Sequence, residues 1–225
     1  MGLFIAGIGN LRAQQLETPS IGVWYIYFAD YGLSEKWSIH HETHLHLYEP
    51  LSTFNRFVIR GGVNYNINPN LTGSAFFHYS TSDPTYSDEN AVNNLVEHRF
   101  MEQLIYRQKW HGLGLSHRLR TEQRFQNREG TEFTAYRARY SLLLSHALIG
   151  RFYANGTGEI LFEYQQNINT SYRLSGALGA RLNAHLRLQA GYTHFFLTGG
   201  NHDERLTLLL LYKIDIKKTR AGSTS

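Results

Sequence analysis

Hydrophobic and polar residues alternate along most of this chain, in runs that are separated by turn-forming residues. Alternation with a period of two places successive side chains on opposite faces of a β-strand. In residues 113–125, the leucines and Phe125 occupy odd positions, whereas the arginines and Glu122 occupy even positions. The pattern therefore predicts an all-β protein.

The alternating segments are numerous enough to form a closed barrel. We identify eleven, at residues 21–31, 37–49, 54–67, 71–82, 95–110, 113–126, 132–147, 152–166, 171–183, 186–198 and 204–216. Tight connections alternate with longer ones, which is typical of bacterial outer-membrane barrels. We predict a transmembrane antiparallel up-and-down β-barrel of ten to twelve strands. Because single-chain bacterial barrels have even strand numbers, we favour twelve, with one strand hidden near the N-terminus. Alternatively, one segment folds back.

The polar faces favour a membrane barrel over a soluble one. In residues 172–182 the polar face carries Ser, Ala and Gly besides arginine, as expected for a crowded interior. Tyrosines recur near strand ends, at Tyr164, Tyr172, Tyr192 and Tyr212, like the aromatic girdle of a membrane barrel. No run reaches the ~18 apolar residues of a transmembrane helix. A soluble β-barrel that binds an acidic ligand, with the leucines facing inward, stays open as an alternative.

Composition narrows the function classes further. Aromatic residues make up 14% of the chain and only 4 prolines occur, which favours strands. Cysteine is absent, which excludes a disulfide scaffold, thiolate chemistry and cysteine zinc sites. The net charge is +4, but the arginines are spread along the strands rather than clustered, which argues against nucleic-acid binding.

The ends of the chain differ from its middle. Residues 1–19 contain a short apolar run and predict either a signal-peptide remnant or a disordered arm. Residues 20–216 form the predicted outer-membrane β-barrel, and residues 217–225 a flexible tail. The predicted location is the bacterial outer membrane, where the partners are membrane lipid and lipopolysaccharide.

Many charged residues fall on the polar faces, and we expect them inside the barrel because a mid-membrane arginine facing lipid costs ~2–4 kcal/mol. They are Arg56, Arg60, Arg118, Arg120, Glu122, Arg124, Arg137, Arg139, Glu159, Glu163, Arg173, Arg181 and Arg187. Arginine and glutamate can pair in bidentate geometry and fill a narrow interior as a lumenal network. Since arginines outnumber carboxylates, an anion-preferring pore, or a pocket for a phosphate- or carboxylate-bearing solute, is the alternative.

The second segment places His40, Glu42, His44 and His46 on one face, and His78 could join them. Imidazole and carboxylate groups are ligands for zinc or nickel. However, residues two apart on a strand lie ~6.5–7 Å from each other, which is awkward for one tetrahedral ion. We therefore interpret these residues as polar filling of the interior, with metal binding a weak alternative, and we predict no cofactor.

An enzyme that modifies lipid or lipopolysaccharide acyl chains is another alternative. Such barrels use Ser, His and a carboxylate, but Ser116–His117 and Ser145–His146 are sequence neighbours and point to opposite faces of a strand. The chain contains no G-x-S-x-G, H-E-x-x-H or P-loop motif. The sequence favours a non-enzymatic barrel, either a narrow channel or a structural or binding protein.

A family resemblance supports the barrel. The motif R-x-R-x-E-x-R-F at Arg118–Phe125, followed by Tyr136–Tyr140 and Glu159–Phe162, resembles domain-of-unknown-function family 2490. Trp24, Lys36–Trp37, Arg60–Tyr65, Glu97–Arg99 and Glu102–Gln103 extend the resemblance over roughly residues 20 to 216. The family consists of predicted outer-membrane barrels of Gram-negative bacteria. The resemblance implies fold and location, and it supplies no catalytic residues.

Overall fold

The computed structural model describes residues 21–83 and 95–216, and within these residues eleven strands form one closed barrel. The strands are β1 (Gly22–Gly32), β2 (Trp37–Leu47), β3 (Phe54–Asn68), β4 (Leu71–Ser82), β5 (Leu95–Trp110), β6 (Leu113–Arg128), β7 (Thr131–Ala147), β8 (Phe152–Tyr164), β9 (Ile168–Arg181), β10 (Leu186–Phe196) and β11 (His202–Asp215). They correspond one to one with the eleven alternating segments, so the predicted all-β barrel is confirmed.

The closing pair of strands differs from the prediction. Strands that are consecutive in sequence pair antiparallel, whereas β1 and β11 are parallel, with Gly22 opposite Arg205 and Gly32 opposite Asp215. An odd number of alternating strands makes the first and last run in the same direction. The barrel is therefore mixed rather than wholly antiparallel, and the described strands number eleven, not the favoured twelve. A hidden N-terminal strand, the arm at 1–19 and the tail at 217–225 lie outside the described residues.

The two rims of the barrel carry different connections. The turn rim is formed by connections 33–36, 69–70, 111–112, 148–151 and 182–185. The loop rim is formed by 48–53, 129–130, 165–167 and 197–201, together with the end of β4 at Ser82 and the start of β5 at Leu95. One connection at the loop rim is also tight. Glu129 and Gly130 both have positive φ, as do His111 and Gly112 at the turn rim, which is the geometry of a two-residue type I′ hairpin. Strand β1 begins at the loop rim, and β11 ends at the turn rim.

The inner face of the sheet carries buried charged residues and the outer face carries exposed apolar residues, which is the reverse of a soluble protein. On β6, Leu119 is 53% exposed while its neighbour Arg120 is 4% exposed. Glu97 and Glu122 are among the most deeply buried side chains, whereas Phe100, Leu174 and Leu178 on the outer face are exposed. The charged residues thus fill the interior of the barrel. Across residues 21–83 and 95–216, no helix is long and apolar enough to cross a membrane.

Candidate functional site

Glu122 of β6 is the centre of a buried charge network in the half of the barrel nearer the loop rim. Its Oε1 lies 2.9 Å from Arg139 Nη1, and its Oε2 lies 3.1 Å from Arg99 Nη1 and 3.6 Å from Arg137 Nη1. Arg99 also contacts Glu97, with 2.6 Å between Nη2 and Oε2. Three neighbouring strands, β5, β6 and β7, supply charges to this cluster because their inward positions are in register, with Glu122 directly opposite Arg137.

Two further glutamates extend the network along β8. Glu159 accepts ion pairs from Arg139 at 2.7 Å, Arg118 at 2.9 Å and Arg173 at 3.2 Å. Glu163 pairs with Arg124 and Arg137. Each carboxylate is therefore shared by at least two guanidinium groups, as expected where buried charges must be compensated.

The predicted histidine cluster forms a hydrogen-bonded chain around Glu42. His40 Nε2 lies 2.8 Å from Glu42 Oε1, and His44 Nε2 lies 3.0 Å from Glu42 Oε2. Arg60 also pairs with Glu42, and the other nitrogen of His40 lies 2.7 Å from Asp30 Oδ1. Glu42 is thus engaged on both carboxylate oxygens by neighbouring interior groups. In the described part of the chain, no three His, Cys, Asp or Glu residues are grouped to hold a metal ion.

His46 and His78 complete the predicted histidine set, but neither contacts Glu42. The ring of His46 stacks on Trp24, with 4.2 Å between the ring centroids. His78 is 2% exposed, and its Nδ1 lies 3.4 Å from Arg60 Nη2. His46 therefore packs in the interior through ring stacking, and His78 is a buried ring that bonds to Arg60.

Three of the predicted interior residues lie near a rim and make no ion pair with the described residues. Arg181 and Arg187 face each other across β9 and β10 at the turn rim, and both are exposed. Arg181 lies over the ring of Tyr153. Arg56 is on the inward face of β3 near the loop rim, and no carboxylate of the described residues is within ion-pair distance of it. Alternation along a strand predicts which face of the sheet a side chain occupies, but it does not predict how deep in the barrel the side chain lies.

Several interior residues were not selected from the sequence. Glu97 and Arg99 take part in the central ion pairs, and Gln103 and Arg107 follow on the same face of β5. The period-two alternation of β5 identifies them. They occupy odd-numbered positions, whereas the exposed Phe100 and Leu104 occupy even-numbered positions on the other face of the strand. In the sequence, Glu97–Arg99 and Gln103 contribute only to the family resemblance.

A cavity of about 990 Å³, which we call the vestibule, occupies the half of the barrel nearer the turn rim. It reaches that rim, because residues 34–36 and 68–69 of two tight connections line it together with Lys213–Asp215. Its inner end is lined by Gln103, Arg118 and Arg120. The volume is at the upper end of the ≈300–1,000 Å³ typical of small-molecule pockets. Arg118 also borders a second cavity of about 220 Å³ toward β8–β11.

Arg120 differs from the arginines of the network because its hydrogen-bonding partner is an amide. Its Nε and Nη2 donate to Gln103 Oε1 at 3.1 and 2.7 Å, and Gln103 Nε2 in turn lies 3.4 Å from Ser74 Oγ. Within residues 21–83 and 95–216, no carboxylate is at ion-pair distance from Arg120 and no acceptor bonds its Nη1. The vestibule thus ends at a guanidinium whose charge is not neutralised by a direct partner.

The Ser–His neighbours do not assemble a nucleophile and base. Ser116 is on the inward face of β6, whereas His117 Nδ1 on the outer face lies 2.8 Å from the Tyr140 hydroxyl. The glutamates of the network are engaged by arginines, as described above. The chemistry that the arrangement offers is therefore recognition by guanidinium and amide groups.

Comparisons with known proteins identify the family. Neither a curated protein nor a solved structure matches the chain. A family model covers most of the barrel, which confirms the resemblance seen in R-x-R-x-E-x-R-F. The chain belongs to the family described as Protein of unknown function (DUF2490), whose model matches residues 21–205.

Proposed function

We propose that this protein is a non-enzymatic β-barrel of the Gram-negative outer membrane, with a structural or binding role. The observation that carries the proposal is the inverted distribution of polarity, in which exposed Leu, Phe and Tyr side chains cover the outer face and buried arginines and glutamates fill the interior. Soluble monomers rarely expose contiguous apolar patches larger than a few hundred Å². A surface of this kind suits contact with lipid and lipopolysaccharide acyl chains.

The aromatic residues support the same placement. Trp37 and Trp110 lie on the outer face at the turn-rim ends of β2 and β5, while Tyr136 and Tyr164 pair across β7 and β8 toward the loop rim. All four are exposed. Amphipathic aromatic rings at both ends of an apolar band are typical of the two membrane interfaces. A soluble β-barrel with its leucines inward is the alternative that this arrangement disfavours.

The filled interior favours a binding or structural role over an open channel. Glu97, Arg99, Glu122 and Arg139 are each less than 9% exposed, and they bridge the strands through ion pairs. The separation of the Ser–His neighbours onto opposite faces, together with the engaged glutamates, disfavours the alternative of an enzyme acting on acyl chains. The vestibule at the turn rim is the space that a binding role requires.

Membrane fractionation combined with heat-modifiability tests the proposal. The chain would be expressed with an export signal, outer membranes isolated, and detergent gels run with and without boiling. We expect the protein in the outer-membrane fraction, with a band that shifts on boiling because a closed barrel resists detergent until heated. Recovery in the soluble fraction without detergent would overturn the proposal and favour the soluble barrel.

Enzymatic activity is tested separately on the same membrane preparation. Lipid and lipopolysaccharide from cells that overproduce the protein would be analysed by mass spectrometry for loss or transfer of acyl chains. We expect profiles identical to those of cells without the protein. A change in acyl-chain composition that depends on the folded barrel would contradict the non-enzymatic role.

A further inference from the structure

We propose that the vestibule is a binding site for a small phosphate- or carboxylate-bearing ligand that enters from the turn rim, with Arg120 as the principal anion-binding group. The proposal deepens the binding role given above and rests on it. The half of the barrel interior nearer the loop rim is packed with ion pairs, and the half nearer the turn rim contains the vestibule. Arg120 lies between the two.

The charge balance at the inner end of the vestibule favours an anion. Arg118 and Arg120 are two positions apart on the same face of β6, so their Cα atoms are ~7 Å from each other. Arg118 pairs with Glu159, but its side chain is still 31% exposed. Two guanidinium groups at this spacing present several N–H donors to one oxyanion, in the geometry that arginine uses for phosphate and carboxylate.

Among the described residues, no acidic residue that lines the vestibule forms an ion pair with Arg118 or Arg120. Glu42 is engaged by Arg60, His40 and His44. Asp30 is bonded to His40 and lies opposite Lys213 in the pairing of β1 with β11. Glu35 and Asp215 lie at the turn rim, together with Lys36. The mouth therefore carries both signs of charge, and the inner end carries Arg118 and Arg120.

Gln103 positions Arg120 for this role. Its amide oxygen accepts from Nε and Nη2, which fixes the plane of the guanidinium and leaves both N–H groups of Nη1 and the second N–H of Nη2 as remaining donors. An amide satisfies the hydrogen bonds without cancelling the positive charge. A glutamate at the same position would form an internal ion pair and occupy the guanidinium, so the difference between Gln and Glu at position 103 is a direct test.

The experiment measures binding to the full chain folded in detergent and checked by its gel shift on boiling. The probes are inorganic phosphate and succinate, titrated by calorimetry at constant ionic strength. We expect Arg120→Gln and Gln103→Glu each to weaken binding by about tenfold or more, since a charged hydrogen bond is being lost. Gln166→Glu, which adds the same charge at an exposed position of the loop-rim connection 165–167 away from the vestibule, is the matched control and should bind as the wild type does.

Access from the turn rim is tested by blocking the vestibule. The chain has no cysteine, so Ser38→Cys places a single thiol on the vestibule wall, and Ser52→Cys places one in the loop-rim connection 48–53. A bulky thiol reagent should abolish phosphate and succinate binding to Ser38→Cys and leave Ser52→Cys unaffected. This arm keeps the proposal testable if a change at Arg120 impairs folding.

The source of the oxyanion is resolved by a lipid arm. The protein would be reconstituted in phosphatidylcholine vesicles with and without phosphatidylglycerol, and headgroup contact monitored by phosphorus NMR. Binding of phosphate or succinate that depends on Arg120 supports a free solute, whereas contact with phosphatidylglycerol alone that depends on Arg120 supports a lipid headgroup. Absence of both, or binding that is equal in the wild type, Arg120→Gln and Gln103→Glu, overturns the proposal.

Failure of this inference is distinguishable from failure of the proposed function. The binding measurement uses detergent-folded protein and does not depend on where the protein resides in the cell. A heat-modifiable outer-membrane protein that binds none of the probes would overturn the vestibule site alone. A protein found in the soluble fraction that still binds phosphate through Arg120 would overturn the membrane placement alone.

Discussion

Arg139 donates through Nη2 to both carboxylate oxygens of Glu159, at 2.9 and 2.7 Å, and through Nε to Oε1 at 3.1 Å. Its Nη1 reaches Glu122 at 2.9 Å, so a single guanidinium joins two buried carboxylates on different strands. Removal of one partner from a buried ion pair is strongly destabilising because the other charge is left without compensation. Arg139 is therefore the position at which the interior network is most sensitive to substitution.

We expect Arg139→Gln to lower the free energy of unfolding by about 3 kcal/mol. The measurement is a urea titration of the folded barrel in detergent, followed by tryptophan fluorescence. Arg187→Gln is the control, because Arg187 is exposed at the turn rim and the change there should be within ~0.5 kcal/mol. Equal unfolding midpoints for the two variants would contradict the assignment of Arg139 to a buried junction.

Two adjacent glycines of β3 make a second prediction about packing. A Cβ on Gly62 would lie 2.3 Å from the Ala75 carbonyl oxygen and 2.3 Å from Phe76 Cδ1, whereas a Cβ on Gly61 would have no atom within 4 Å. We expect Gly62→Ala to lower the free energy of unfolding by roughly 1–3 kcal/mol through overpacking. The same urea titration measures the effect.

Gly61→Ala is the matched control on the outer face, where alanine should be neutral or stabilising by less than about 1 kcal/mol. Since the substitution is the same at both positions, the difference between the two variants isolates the inward contact with β4. If Gly61→Ala were the more damaging of the two, the facing of β3 would be reversed.

Leu119 on the outer face tests contact with lipid. A single cysteine in place of Leu119, labelled with a fluorophore after reconstitution in vesicles, should be quenched by nitroxide groups on lipid acyl chains because the side chain points away from the interior. The labelled Ser52→Cys variant in the loop-rim connection should be quenched less by the same lipids. The unlabelled cysteines provide the contrary outcome. If the thiol at position 119 reacted with charged aqueous thiol reagents as fast as the thiol at position 52, lipid contact would be contradicted.

The strands and their faces could be predicted because one property of the sequence decides both. Period-two alternation identifies a strand and also assigns each residue to a face, so Leu119 and Arg120 were separated correctly from the sequence alone. The parallel closure of β1 on β11 could not be predicted in this way. Alternation specifies a strand but not its partner, and the expectation of an even strand number pointed to twelve.

The pairing of charges was also beyond the sequence, because it depends on register and depth. Arg120 and Arg124 are equivalent in the pattern, yet Arg124 contacts carboxylates and Arg120 contacts the amide of Gln103. Register places Gln103 directly opposite Arg120, and Arg99 opposite Arg124. The vestibule follows from the same cause, since the inward positions near the turn rim are smaller or carry fewer ion pairs than those near the loop rim.

The filled interior leads to a last prediction, about ion conductance. The central ion pairs join β5, β6, β7 and β8 across the half of the barrel nearer the loop rim, and the arginines and glutamates that form them are buried. We therefore expect the wild-type protein to insert into planar bilayers without steady, porin-like conductance. A triple variant replaces Arg99, Glu122 and Arg139 with serine. The three charges are removed together, so that none of the three is left without its partner.

That triple variant should give steady conductance if it retains the gel shift on boiling, because three large buried side chains of the interior become small. A variant with serine at both Arg181 and Arg187 removes two arginines at the turn rim instead, and it should be as silent as the wild type. Steady conductance of the wild type would contradict an occluded interior and favour a narrow channel. Equal conductance of the two serine variants would show that the central ion pairs are not what closes the barrel.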